Sequence, residues 1–155
     1  KSTVASHIAQ KHNLSVIEMD QVIEEIEGMS IPEIFEQKGE LYFRDAETRL
    51  LMEIQDQQGQ VVSCGGGLVL REENIATMKK GGTVVYLTAK PETILERVKE
   101  DESRPLLKGN KNISAIEEMM TKREQKYKRA ADFIVSTDEK TPEQISEEIL
   151  LQIER

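Results

Sequence analysis

Four short apolar runs punctuate a mostly polar chain: "LSVIEM" at 14–19, "QVVSC" at 60–64, "GGTVVYLT" at 81–88 and "DFIVST" at 132–137. They are rich in β-branched residues, lack polar alternation and are bounded by Gly, Asp or Pro, which predicts strands covered on both faces. Helical spacing fills the segments between them. Residues 2–12 form one predicted helix, and a long one at 40–57 carries Leu41, Ala46, Leu50, Leu51 and Ile54. Others are predicted over 72–79, 91–101 and 113–130. The last has Thr141 as its N-cap and Pro142 at its first helical position, and runs to the C-terminus.

Strands alternating with helices predict an α/β fold, with helical layers on both faces of a parallel sheet. The order, however, starts with a helix. A doubly wound sheet feeds its first helix from a central strand, through a turn that holds the ligand. The pattern therefore predicts that about 10–15 residues of strand and loop precede Lys1, making a five-stranded sheet whose central first strand lies outside this chain.

Composition narrows the classes. The 155 residues suit one domain, 1–155, with a core of its own. No apolar run is long enough to span a bilayer, and a net charge of −8 argues against a general nucleic-acid or membrane surface. Cys64 is the only cysteine, so an internal disulfide is excluded and a reducing cytoplasm is expected. With so few aromatic residues, a monomer is the default expectation. None of this excludes a small anionic ligand held by a few of the eight arginines.

Four stretches carry candidate chemistry. The opening "KST" has the order of the tail of a phosphate-binding loop, where a lysine reaches the β/γ-phosphates and a hydroxyl binds Mg²⁺; a plain helix start reads the same way. Glu18 and Asp20 close the first run, where open α/β sheets bind ligands. Asp20 suits a helix N-cap and a carboxylate that holds a metal or takes a proton from an acceptor hydroxyl equally. Arg44 lies in an acidic helix, where a surface ion pair is the plain alternative. The "SCGGG" at 63–67 places three glycines at a strand end, a costly choice unless a ligand must approach the backbone closely. The segment "DESRPLLKGNKN" reads either as an exposed loop or as a mobile lid over 101–113 with an arginine poised above a phosphoryl group.

Together "KST", "EMDxxIE" (Glu18 to Glu24), "GExxFR" (Gly39 to Arg44), "SCGGG", "RPLL", "KREQKY" and "VSTDEKTP" resemble the shikimate kinases, small relatives of the nucleoside monophosphate kinases, in order and separation along essentially the whole chain. The resemblance implies a three-layer P-loop kinase fold and transfer of the ATP γ-phosphoryl group to the 3-hydroxyl of shikimate, in aromatic amino-acid (chorismate) biosynthesis. It implies that Lys1, Ser2 and Thr3 bind ATP, with Ser2 on Mg²⁺ and Glu18 and Ser63 reaching the metal through water. Asp20 is implied to bind the shikimate hydroxyls and accept a proton, within a substrate-binding subregion at 20–57. Arg44 and Arg123 would clamp the carboxylate over Gly65, Gly66 and Gly67, with Ile31, Phe35 and Phe43 as an apolar wall. Arg104 would bridge phosphate and substrate, and Arg97 and Lys140 would stack around adenine.

The chain departs from the family pattern at Glu18, where aspartate is usual, and at Lys140, where arginine is frequent. Arg49, Arg71 and Arg129 are read as solvated surface. The competing readings are a gluconate-type sugar-acid kinase and a kinase-like domain that binds without catalysis.

Overall fold

The computed structural model describes residues 2–98 and 113–153, apart from the side chains of Ser2, Leu95, Arg97, Val98 and Ile113. Helix α1 (Ser2–His12) leads into strand β1 (Ser15–Glu18), and three helices follow: α2 (Met19–Glu27), α3 (Ile31–Lys38) and α4 (Glu40–Ile54). Strand β2 (Gln60–Ser63), a single 3-10 turn (Leu68–Leu70), α5 (Glu72–Gly81) and β3 (Val85–Thr88) come next. The chain continues through α6 (Pro91–Val98), α7 (Ile113–Ala130), β4 (Phe133–Ser136) and α8 (Pro142–Ile153). The α/β alternation expected from the hydrophobic runs is present. Thr141 caps α8 as expected, its Oγ1 accepting from the Gln144 N–H while the Gln144 side chain accepts from the Thr141 N–H.

The strands of the described residues form two separate parallel pairs, β1 with β2 and β3 with β4, so the expected five-stranded sheet is not seen among them. Val16 pairs with Val61 and Glu18 with Ser63, while Val85 pairs with Phe133 and Thr88 with Ser136. Among the described residues, neither β2 nor β3 has a second strand partner. With sheets only two strands wide, the strands are not covered throughout either: Val16 and Ile134 are exposed.

Helical layers nonetheless enclose β3 on both sides. Val85 and Leu87 pack with Val4, Val135, Ile145 and Ile149 from α1, β4 and α8. Tyr86, pointing to the opposite face, stacks on Tyr127 of α7 at 4.9 Å. A larger cluster joins α2, α3 and α4 beneath β1 and β2, with Ile34 and Leu68 fully buried. Each such side chain contributes about 1.5–3 kcal/mol by leaving water.

Helices α2 and α3 are absent from the hydrophobic reading, and local chemistry explains them. Gly28 takes the left-handed conformation (φ 69°) that ends α2. Ser30 and Glu33 then form a capping box at the start of α3, and the Ile31 N–H donates to Glu24 Oε2 at 2.9 Å. Glu24 of the "EMDxxIE" stretch thus ties α2 to α3.

Candidate active site

Arg44 reaches the site because of a single glycine. Gly39 (φ 88°) is the one residue between α3 and α4, and its N–H donates to both Ile34 and Phe35 carbonyls at 3.1 Å. The chain reverses there without a linker, and α4 runs back across the core with Phe43, Ala46, Leu50, Leu51 and Ile54 buried. Arg44 and Glu47 are buried on the same helix. Arg44 Nη1 donates to Glu47 Oε1 at 2.8 Å and its Nε to Glu40 Oε2 at 3.3 Å. The guanidinium also lies 5.3 Å from the Phe43 ring centre and 5.9 Å from that of Phe35, within cation–π range. A surface ion pair is therefore the wrong description of Arg44.

Asp20 is delivered by the join between β1 and α2. It occupies the first turn of α2, and Glu18, not Asp20, is the N-cap residue. The helix end favours a carboxylate there in any case.

The triple glycine is where these groups meet. A Cβ on Gly65 would sit 2.9 Å from Asp20 Oδ1 and 3.0 Å from Glu47 Oε2. One on Gly66 would sit 3.3 Å from the Tyr127 hydroxyl and 3.6 Å from Arg123 Nη1. One on Gly67 would overlap the Arg44 guanidinium. The three glycines were expected to admit a ligand; the structure adds that they admit the protein's own acids, guanidiniums and tyrosine. Side chains from α2, α4 and α7 thus converge on one bend.

Other candidates fall in several places. Ile31 and Phe43 are buried members of the core cluster, so they back the site from within, whereas Phe35 packs at its edge 5.1 Å from Phe43. Glu18 and Ser63 are Cα partners at the carboxyl ends of β1 and β2. Thr3 is exposed on α1. Lys140 pairs with Glu148 at 2.7 Å. Lys1, Arg104 and residues 101–112 of the expected lid lie outside the described residues, as do the side chains of Ser2 and Arg97. Arg71 is not simply solvated, since it binds Asp45 at 2.7 Å and Thr48 Oγ1 at 3.2 Å, whereas Arg129 is exposed and pairs with Glu72 at the surface.

The sequence model of the shikimate kinase family matches residues 1–154. The chain belongs to the shikimate kinase family. It is 46% identical to the shikimate kinase of Sulfurihydrogenibium sp. (strain YO3AOP1) across all of this chain and 92% of that protein. Among solved structures, the shikimate kinase of Acinetobacter baumannii in complex with shikimate superimposes with a TM-score of 0.94 at 31% identity, covering 98% of this chain and 85% of that one. The Aquifex aeolicus enzyme gives a TM-score of 0.85 at 39% identity, over 99% of this chain and 89% of the other.

Within this member of the family, two site residues escaped the sequence reading. Glu47 is 2% exposed and occupies a position in the apolar stripe of α4 (43, 46, 47, 50, 51, 54); a carboxylate in such a stripe was the available signal. Tyr127 continues the stripe of α7 one turn beyond Arg123. Burial pushes the Glu47 carboxyl above its ordinary range, the hydrogen bond and charge of Arg44 pull it down, Asp20 raises it further and Arg123 opposes.

The raised value has a sign consequence. Glu47 holds its proton more tightly folded than unfolded, so its contribution to stability is full below the unfolded carboxylate pKa and is lost as pH rises through the folded one. Comparing Glu47→Gln with the native protein therefore cancels everything but this group and a pH-independent offset. The melting-temperature difference, variant minus native, is expected to favour the variant most at neutral pH and to shrink on acidification. A difference that is flat or widens at low pH contradicts the assignment.

Proposed function

We propose that this protein transfers the γ-phosphoryl group of ATP to the 3-hydroxyl of shikimate, giving shikimate 3-phosphate and ADP. One observation carries the reading: in a member of this family, Asp20, Arg44 and Arg123 converge on the Gly65–Gly67 bend. Two guanidiniums suit a carboxylate, because each presents a planar fork of donors that matches its oxygens. Glu47 holds the Arg44 fork in place before substrate arrives. That leaves Asp20, beside Gly65, to orient the acceptor hydroxyl and take its proton as the P–O bond forms.

ATP and Mg²⁺ complete the reaction. Lys1, Ser2, Thr3, Arg97, Arg104 and Lys140 are the residues proposed for ATP, with Lys1 and Arg104 balancing the charge on the transferring group and the 101–113 segment excluding water. Ser2 would hold Mg²⁺ directly, and Glu18 and Ser63 through water. The donor set suits this ion: Mg²⁺ keeps several waters and takes one or two protein oxygens besides phosphate, so the paired hard oxygens at the ends of β1 and β2 suffice. When bound, the ion would neutralise phosphate charge. Lys140 would have to exchange Glu148 for the nucleotide.

Among the described residues no helix is long and apolar enough to cross a membrane. We take the enzyme to be a cytoplasmic monomer, a reading supported by a cysteine count of one, which excludes an internal disulfide, and by six aromatic rings of which none is exposed. ADP release with shikimate or gluconate as acceptor tests the function. The expected result is a preference for shikimate in kcat/KM of about 10⁴, since a site that pairs buried polar groups with one substrate rejects another strongly. Preference for gluconate would move the protein to the sugar-acid kinases, and no turnover with either would make it a binding domain.

A further inference from the structure

We propose that Tyr127 is a positioning residue: its hydroxyl, bonded to the Gly66 carbonyl, sets the spacing between the Arg123 guanidinium and the glycine bend. The proposal rests on the reading of Arg44 and Arg123 as the carboxylate clamp. Tyr127 follows Arg123 by four residues on α7, so the two side chains are neighbours on one helix face. The Tyr127 hydroxyl donates to Gly66 O at 2.6 Å. Both side chains rest on the same glycine, with 3.3 Å from a Gly66 Cβ position to the Tyr127 oxygen and 3.6 Å to Arg123 Nη1.

The backbone beyond the bend is held in the same manner. Lys126 Nζ donates to Leu70 O at 2.8 Å, and Asn74 Nδ2, from α5, donates to Leu68 O at 2.9 Å. Carbonyls 66, 68 and 70 each therefore accept from a side chain. Of these three donors, Tyr127 is the one that reaches the glycine triplet and shares a face with Arg123. Its ring is secured independently by stacking on Tyr86, with an interplanar angle of 27°. The ring docks α7 on β3, and the hydroxyl fixes where the bend lies beneath Arg123. These two tasks can be separated by removing one oxygen.

In Tyr127→Phe the stacking stays and the Gly66 carbonyl loses its donor. The expected result is a rise of about five- to tenfold in KM for shikimate with KM for ATP nearly unchanged, and a melting temperature lowered by only about 2–4 °C, the cost of one hydrogen bond within the fold. An unchanged KM for shikimate, or equal rises for both substrates, overturns the proposal. The mechanism is tested by a double-mutant cycle in kcat/KM with Arg123→Ala: if Tyr127 acts through Arg123, adding Tyr127→Phe to that variant costs less than about twofold. A full, additive penalty in that background also overturns it. Should Arg123→Ala alone leave shikimate kinetics untouched, the clamp reading itself fails, whereas a large Arg123 effect beside a silent Tyr127→Phe sinks this proposal only.

Discussion

Asp20→Asn lowers kcat by about 10²–10³ while the KM for shikimate stays within about threefold of native, because the change removes an interaction made chiefly in the transition state. Asparagine keeps the shape of the side chain and its ability to hydrogen-bond a hydroxyl. It cannot accept the hydroxyl proton, and it supplies no negative charge as the acceptor oxygen becomes nucleophilic. Neutralising Asp20 relieves its repulsion of Glu47 beside Gly65 but gives up a carboxylate at the α2 N-terminus, so the melting temperature is expected to stay close to native at neutral pH. Steady-state ADP release together with a thermal melt reads both quantities, and a near-native kcat removes Asp20 from the chemistry.

Arg44→Ala raises the KM for shikimate by about 10²-fold or more and leaves that for ATP within about twofold, the loss expected for one buried, charge-assisted contact. The same change should also weaken the fold. Arg44 is the hydrogen-bond partner of Glu47 Oε1, and a buried carboxylate stripped of its partner costs about 3–5 kcal/mol. The two effects separate in a second variant. Arg44→Ala combined with Glu47→Gln removes the stranded charge, so stability should return while the KM for shikimate stays high. Recovery of both would mean that Arg44 matters only as a structural partner. Equal rises for shikimate and ATP in the single variant would contradict a carboxylate role.

How much of this was legible in the sequence depended on the range of the interaction. The four strands and the helices α1 and α4 to α8 follow from local apolar runs, and most boundaries lie within a few residues of those expected. Helices α2 and α3 were not legible in the apolar pattern because the run "LSVIEM" continues its apolar character from β1 into Met19 of α2, and because α3 is marked by its Ser30–Glu33 capping box rather than by an apolar stripe. Strand pairing was illegible for a different reason. Ser15 meets Gln60 and Val85 meets Phe133, contacts across more than forty residues that no local pattern encodes. The convergence of Asp20, Arg44 and Arg123 was readable from the motifs. Glu47 was not: it looked like one more acid in an acidic helix, and only its place in the buried stripe sets it apart. The glycine triplet was singled out for a ligand, whereas the crowding that excludes a Cβ there comes from protein side chains brought in from α2, α4 and α7, which no local pattern encodes.

The central claim is that two guanidiniums above the glycine bend hold the substrate by its carboxylate. Comparing kcat/KM for shikimate and for its neutral methyl ester, in the native protein and in Arg44→Ala, measures this without relying on a variant alone. The expected result is that the native protein prefers the acid by about 10²-fold, as loss of charge-assisted hydrogen bonding requires, and that Arg44→Ala loses most of that preference. Equal use of acid and ester by the native protein would contradict the account.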